Sequence, residues 1–387
     1  MAKRKLRANQ VFSGKEFLEP NTVLVFEGER LMDLVMAEDA GDDIEFLDGI
    51  LLPGMINAHC HLELSHLKGI IPRQTGLVDF LGKVISERNM ESEVIDAAIV
   101  QADKQMWECG VQAVGDICNT CHTLSAKKSS PVTYHSFIEV AGFPPGIAES
   151  RYEAAVELLN RFSAWQFAAS LTPHAPYSVS PALLRKIDSS VSGSVFSIHN
   201  QEAEDENNLF QNRQGDFLRM YKKMGINIDF FSATHKSSLQ SWLPFVQRKE
   251  SLLLVHNVAI HETDLAYLKT WAAETGSGVC FVICARANEY ISGMLPPVEM
   301  LIQSGFPIAI GTDSLASNDA LDPAYEINFL EHHFKDADVS VWLRAACSNG
   351  AEALMLNDKF GSLLKGRKPG LVLMAGEKGN REFKRII

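Results

Sequence analysis

Short runs of apolar, β-branched residues alternate along the chain with stretches whose apolar positions recur at helical spacing. The runs occupy residues 50–57, 111–116, 132–140, 167–174, 194–200, 251–256, 278–284 and 307–313. Helical spacing marks 92–109, 148–162, 208–224 and 262–274. Strand–helix alternation on this scale predicts parallel strands joined by crossover helices. Eight such strands in roughly 300 residues predict an α/β fold, a closed (β/α)8 TIM-like barrel, with an open eight-stranded sheet as the alternative. The two ends follow another pattern. Residues 22–27 and 30–36 are extended runs broken by Gly28 and Gly41, and 371–374 with 383–387 are strand-like again. The termini are therefore expected to pair into a small β-sandwich domain, residues 1–49 plus 362–387, with the barrel, residues 50–361, inserted between them.

Composition narrows the class. The 387 residues are 46% hydrophobic and 22% charged, the balance of an ordinary soluble protein. A formal net charge of -12 disfavours phosphate polymers and anionic lipid, and no concentrated basic patch offsets it, so no nucleic-acid partner is expected. The basic opening, residues 1–5, leads into no apolar signal core, and no apolar stretch nears the ~20 residues that span a bilayer. No membrane association and a cytoplasmic location are expected. The seven cysteines are odd in number and scattered, which suits a reducing compartment. Cys118-Asn119-Thr120-Cys121-His122 matches the c-type haem attachment pattern. That chemistry needs export, so a chance match is the expectation.

Placing the polar residues on the strands exposes the chemistry. His59 and His61 follow the first barrel strand two positions apart, so an extended chain turns both imidazoles the same way. His174, His199, His256 and Asp313 end the fourth, fifth, sixth and eighth strands. Carboxyl ends of strands form the rim where barrel enzymes collect their active sites. Taken singly, a His-x-His pair is weak and Asp313 is a plausible helix cap. Glu202 sits in an acidic run, 202–206, of the kind that usually faces solvent. Of 12 histidines, however, those on four different strands fall at one end. Imidazoles with a carboxylate suit Zn2+ or Fe2+, and such an ion brings a bound water to a pKa of about 7. Glu202, three residues after His199, is placed to shuttle the proton.

The segment Leu52-Pro53-Gly54-Met55-Ile56-Asn57-Ala58-His59-Cys60-His61 resembles the first-strand signature of the amidohydrolase superfamily. Thr172-Pro173-His174-Ala175-Pro176-Tyr177, His199-Asn200-Gln201-Glu202, Val255-His256-Asn257 and Gly311-Thr312-Asp313-Ser314 resemble its later motifs in order. The resemblance implies that His59, His61, His199 and Asp313 bind one divalent metal, Zn2+ or alternatively Fe2+. It further implies that Glu202 shuttles protons and that His256 hydrogen-bonds the attacking water or the developing oxyanion, with Asp313 sharing the water proton. Neither the third nor the fourth strand carries the lysine usual in two-metal members, which points to the one-metal aminohydrolase branch.

Within that branch, His61-Leu62-Glu63-Leu64-Ser65 followed by residues 79–88 is similar to aminofutalosine deaminases and overlaps S-adenosylhomocysteine deaminases. The resemblance implies that a carboxylate after strand one holds ribose hydroxyls, with Glu87 the nearest match, and that His174 contacts the purine. Cys284-Ala285-Arg286-Ala287-Asn288 lacks the serine common before the asparagine, and Pro369-Gly370-Leu371 replaces the usual Ala-Asp-Leu. The expected activity is deamination of an adenine-type nucleoside by attack of metal-bound hydroxide with release of ammonia. The alternatives are another leaving group on a small heterocycle, amide or chloride, and a catalytically silent scaffold of the same fold. A small-molecule substrate is expected, and a homodimer is the default for so large a barrel.

Overall fold

The computed structural model describes residues 3–190 and 195–387; Ser194, the expected start of one strand, and residues 1–2 of the basic opening lie outside the described residues. Four strands open the chain: β1 (Lys3–Val11), β2 (Thr22–Glu27), β3 (Arg30–Met36) and β4 (Ile44–Leu52). Eight parallel strands follow among the described residues. These are β5 (Met55–Cys60), β6 (Val111–Cys118), β7 (Thr133–Val140), β8 (Ala168–Pro173), β9 (Val195–Asn200), β10 (Ser251–His256), β11 (Val279–Ile283) and β12 (Ile308–Ile310). β13 (Val372–Glu377) and β14 (Asn380–Arg385) end the chain and join the opening strands in one sheet of order β14-β13-β4-β1-β2-β3. That sheet is antiparallel apart from the parallel β1–β4 pair.

Two differences from the sequence expectation have local causes. The run 50–57 divides at Pro53-Gly54: Ile50–Leu52 pair with β13, and the barrel strand starts at Met55. Pro53 lacks an N–H for either ladder, and Gly54 passes so close to Gln112 that a Cβ would lie 2.2 Å from its Cγ. The expected helix 208–224 is instead two, Glu204–Asn212 and Phe217–Lys223, because Arg213 turns left-handed (φ 54°) and Gly215 follows at φ 95°. Only glycine fits there, since a Cβ would sit 2.5 Å from Asp205 Oδ1. β1 escaped the hydrophobic pattern altogether, because in Lys3–Val11 its buried positions are only Leu6, Ala8 and Val11.

The barrel strands read as nearly continuous apolar runs because both faces are covered; β5, β6, β9 and β10 are buried throughout. Along β10, Leu252 and Leu254 pack with the surrounding helices, while Leu253 and Val255 join a separate interior cluster with Val195 and Val282. The helix Ser348–Ala353 touches β5, β10, β11 and β12, and Ser251 Oγ at the start of β10 donates to Ala353 O at 2.7 Å. It therefore plugs the amino end of the barrel and leaves the carboxyl end open for chemistry. No helix among the described residues is long and apolar enough to cross a membrane.

Two buried polar ties brace that open end. Lys127 Nζ lies 2.6 Å from Asp116 Oδ2 and donates to Ser136 Oγ at 2.8 Å, with both charges fully buried. The other oxygen of Asp116 accepts from Leu62 N at 2.9 Å, immediately after His61. On the far side, Glu326 accepts from Arg286 N at 3.1 Å and from Asn318 Nδ2 at 2.9 Å. Asn318 in turn donates to Thr312 O beside Asp313. Burial pushes the Glu326 carboxyl up to about 7, against the pull of its hydrogen bonds.

Removing one member of a buried ion pair strands the other charge. Lys127→Met is accordingly expected to cost about 3–5 kcal/mol in urea unfolding, and a loss within ordinary surface values would show that the pair does not brace the fold. For Glu326 the sign follows from its raised value. The folded protein holds a proton that the unfolded chain releases between about pH 4.5 and about pH 7, so stability falls as pH rises through that window. The parent should therefore gain stability over Glu326→Gln as pH is lowered from 7 towards 5; a gap independent of pH would contradict this.

Candidate active site

The barrel closes where its polar residues gather. Thr312 N donates to His59 O at 2.9 Å, and His61 N donates to Asp313 O at 3.3 Å, joining β12 to β5. His199 N donates to His174 O at 3.0 Å, joining β8 to β9. The two imidazoles after β5 share one face of the extended chain, as their spacing requires. His59 Nε2 lies 3.1 Å from His61 Nε2, which lies 3.3 Å from His199 Nε2. Asp313 Oδ1 lies 3.3 Å from His61 Nε2 and 3.7 Å from His59 Nε2. Ser317 Oγ donates to the other Asp313 oxygen and fixes the carboxylate.

His256 arrives by a different route. Pleat alternation alone would send it with Leu252 and Leu254 towards the helices, but its backbone is left-handed, φ 73°. The ring is thereby stacked on that of His199, centroids 5.3 Å apart. Gln201, Asn257 and Asp313 are left-handed as well, and strained non-glycine residues of this kind cluster where function fixes them. Asn288 Nδ2 donates to His256 Nδ1 at 3.0 Å. An accepting Nδ1 places the proton of the neutral ring on Nε2, which lies 3.4 Å from Glu202 Oε1. Burial lowers His256 to about 3, so the ring is neutral at working pH.

The electrostatics divide these groups. Burial pushes the Glu202 carboxyl well above its ordinary range, and the neighbouring Asp313 and Glu206 carboxylates add to the effect. Burial acts the same way on Asp313, but the imidazoles of His59, His61 and His256 outweigh it and hold that carboxyl well below the usual range. Burial also keeps His199 neutral, helped by the surrounding imidazoles. His199 Nδ1 donates to His174 O at 2.7 Å, so its Nε2 lone pair faces the cluster. His59, His199, His256 and Asp313 offer donor atoms within 4.8 Å of one another, a group able to hold a metal ion, and His61 Nε2 lies 3.1 Å from His59 Nε2 and 3.3 Å from both His199 Nε2 and Asp313 Oδ1. Nitrogens about 2.0–2.1 Å from a shared tetrahedral centre lie about 3.3 Å apart. The donor set fits a divalent cation.

The cluster floors a cavity of about 260 Å³ that also contains His174, Glu139, Asn119 and Arg88. Larger clefts of about 680 and 450 Å³ lie beside Asp319–Asp322 and against the terminal sheet, but neither reaches any of the converging imidazoles. Convergent polar groups mark a site better than volume does. Of the residues singled out in the sequence, the structure gathers His59, His61, His174, His199, Glu202, His256 and Asp313 here. Glu87 does not join them. Its carboxylate accepts from Ser86 Oγ at 3.1 Å and is no part of the cavity wall. The helix Leu77–Glu87 and its cap turn Phe80, Leu81, Val84, Ile85 and Arg88 inward, and Glu87 falls at the edge of that stripe.

Sequence reasoning missed Glu139, Asn119, Arg88 and Asn288. Glu139 carried a usable signal, a lone carboxylate one residue from the carboxyl end of an apolar strand. Asn119 was hidden inside the Cys-x-x-Cys-His run. There Cys118 is fully buried against Lys127 Nζ at 3.2 Å, where a thioether could form only if the core opened. The remaining histidines show bland partners, such as His122 on Asp96 at 2.9 Å and His135 on Ser170 at 2.9 Å.

With this geometry in view, the similarities to known proteins can be placed. The chain is 26% identical over 319 residues to adenosine deaminase of Helicobacter pylori, covering 81% of this chain and 76% of that one. It is 26% identical over 354 residues to a 5-methylthioadenosine/S-adenosylhomocysteine deaminase of Syntrophomonas wolfei, covering 86% and 75%. Its fold matches the crystal structure of Helicobacter pylori aminofutalosine deaminase in complex with methylthio-coformycin, TM-score 0.80 at 22% identity, over 99% of this chain and 100% of that one. The amidohydrolase family model matches residues 50–386, and the chain belongs to that family.

Proposed function

We propose that this hydrolase of C–N bonds deaminates an adenine-type nucleoside, exchanging the exocyclic amine of the ring for oxygen with release of ammonia. The observation that carries the reading is the pairing of Glu202 with His256 directly over the imidazole–carboxylate cluster. A carboxyl raised by burial and a neutral imidazole with its proton on Nε2 are the two partners a proton transfer needs. The substrates named for the relatives, adenosine and 5-methylthioadenosine or S-adenosylhomocysteine, share the adenine ring.

His59, His61, His199 and Asp313 would hold one divalent ion, and their nitrogen and oxygen donors favour zinc, with iron the alternative. When bound, such an ion acidifies a water so that hydroxide is available at neutral pH. The charge of the bound ion would favour the ionised form of Glu202, and Glu202 then takes the proton of the attacking water, with Asp313 sharing it, and hands it to the departing nitrogen. His256 donates from Nε2 to the oxygen that gains charge, while Asn288 holds its ring in that tautomer. His174 pairs its Nδ1 with Ser178 Oγ at 2.7 Å, which leaves Nε2 for a ring nitrogen of the purine. The ribose role expected of Glu87 passes to Glu139. Its Oε1 is buried without a hydrogen-bond partner on a cavity wall, where a hydroxyl donor would satisfy it.

The test is ammonia release from adenosine, methylthioadenosine, S-adenosylhomocysteine and aminofutalosine, using protein of known metal content. Turnover of at least one nucleoside is expected, lost on chelation and restored by zinc. Silence across the panel with one metal per chain bound would remove the nucleoside reading. Glu202→Gln should keep its metal yet lose about 10²–10⁴-fold in kcat; near-full turnover in that variant would discard Glu202 as the proton carrier.

A further inference from the structure

A second buried carboxylate stands close to Glu202 and takes no part in the proton transfers. Glu206 is fully buried and lies in the first turn of the helix Glu204–Asn212. Ala203, which begins that helix, has no side-chain oxygen with which to cap it. A glutamate in the third helical position ordinarily reaches back to the N–H of the capping residue itself. Glu206 reaches further. Its Oε1 accepts from Gln201 N at 3.0 Å and from Ser238 Oγ at 2.5 Å, and its Oε2 accepts from Glu202 N at 3.4 Å. Gln201 is left-handed, φ 46°, and such a turn can aim two successive N–H groups at one anion. The ladder of β9 ends at Asn200, so the peptide that carries Glu202 is held by this carboxylate instead of by the sheet.

The same helix also grips the other half of the Glu202–His256 pair. Asn207, next to Glu206, accepts from Ser238 N at 3.0 Å and donates to Ala259 O at 2.8 Å. Ala259 N donates to Gln201 O at 2.8 Å, and Asn257 N donates to Asn200 O at 3.0 Å, so the turns after β9 and β10 are bound to each other. One turn carries Glu202 and the other His256, 3.4 Å apart. Resting on the reading of Glu202 as the proton carrier, we propose that Glu206 is a positioning residue that sets Glu202 against His256 and the reacting centre. It is no part of the cavity wall and acts through the N–H groups of Gln201 and Glu202.

Glu206→Gln keeps the shape and one accepting oxygen but turns an amide N–H towards a backbone N–H. The assays belong at pH 8, because burial raises the parent's Glu206 carboxyl to about 7 and it is ionised above that. There the zinc-loaded variant is expected to lose about 10- to 50-fold in kcat on the nucleoside the parent turns over fastest, as for a lost charge-assisted hydrogen bond. KM, metal content and equilibrium binding of inosine, the deaminated form of adenosine, should not change. The deciding comparison is Glu202→Gln against Glu202→Gln/Glu206→Gln in single turnover. A residue that acts only through Glu202 has nothing left to do in that background, so the two should agree within about two-fold. A merely structural role would lower both backgrounds alike. Equal fractional losses with and without Glu202, a change in KM alone, or parent-like kcat in Glu206→Gln each overturn the proposal. Should Glu206→Gln fail to fold, Ser238→Ala removes the third partner of the carboxylate and is read in the same cycle, with a loss of about 2- to 10-fold seen only where Glu202 is present. Near-full turnover by Glu202→Gln alone would instead remove the reading beneath the proposal, a result that does not depend on Glu206.

Discussion

Closure of the barrel and assembly of its chemistry are one constraint. The seam between the last and first strands is only a few backbone hydrogen bonds long, and those bonds belong to His59, His61, Thr312 and Asp313. Asn57 adds a side-chain clamp, donating to Thr312 Oγ1 at 2.7 Å and accepting from Thr312 N at 3.2 Å. A parallel sheet of fixed strand number closes only at one stagger. Once it does, the imidazoles after β5 and the carboxylate after β12 have no freedom left to separate. The geometry of the cluster therefore follows from the register of the sheet, and loops supply only what surrounds it.

The surroundings convert position into character. Asp313 and Glu202 are both buried at the rim, yet their shifts diverge because the neighbours differ. Asp313 faces three rings and stays charged, whereas Glu202 faces other carboxylates and resists charging. Second partners fix ring orientation, with Asn288 behind His256, the His174 carbonyl behind His199 and Ser317 behind Asp313. Such supporting bonds decide which nitrogen is a donor and which is a lone pair. The Nδ1 of His59, by contrast, is buried with no partner.

Most of the fold and of the cluster was legible because both rest on strong local periodicities. Strand runs such as Ser251–His256 could be read directly, and polar residues at their ends stood out against apolar neighbours. What was not legible depended on three-dimensional company. Glu87 and Arg88 are adjacent in sequence and equally polar, and only the rotation of one helix decides which of them meets the cavity. Asn119 gains its meaning from Glu63 and Glu139, neither of which is near it in sequence. The left-handed turn at His256 reverses what pleat alternation implies, and no composition rule announces it. β1 was lost for a simpler reason, too few apolar residues to carry a period of two.

The terminal sheet has a bearing on how the chain is made. β4 leads directly into the barrel, and the strand that covers one of its edges, β13, comes from the far end of the sequence. At about 5–20 residues per second of synthesis, that edge waits on the order of tens of seconds for its partner. An unpaired strand edge invites association with other chains. β4 meets this hazard with Glu45 and Asp48 along its length and an irregular register against β1 near Gly49. The strand left open longest during synthesis is thus one of those least suited to recruiting a stranger.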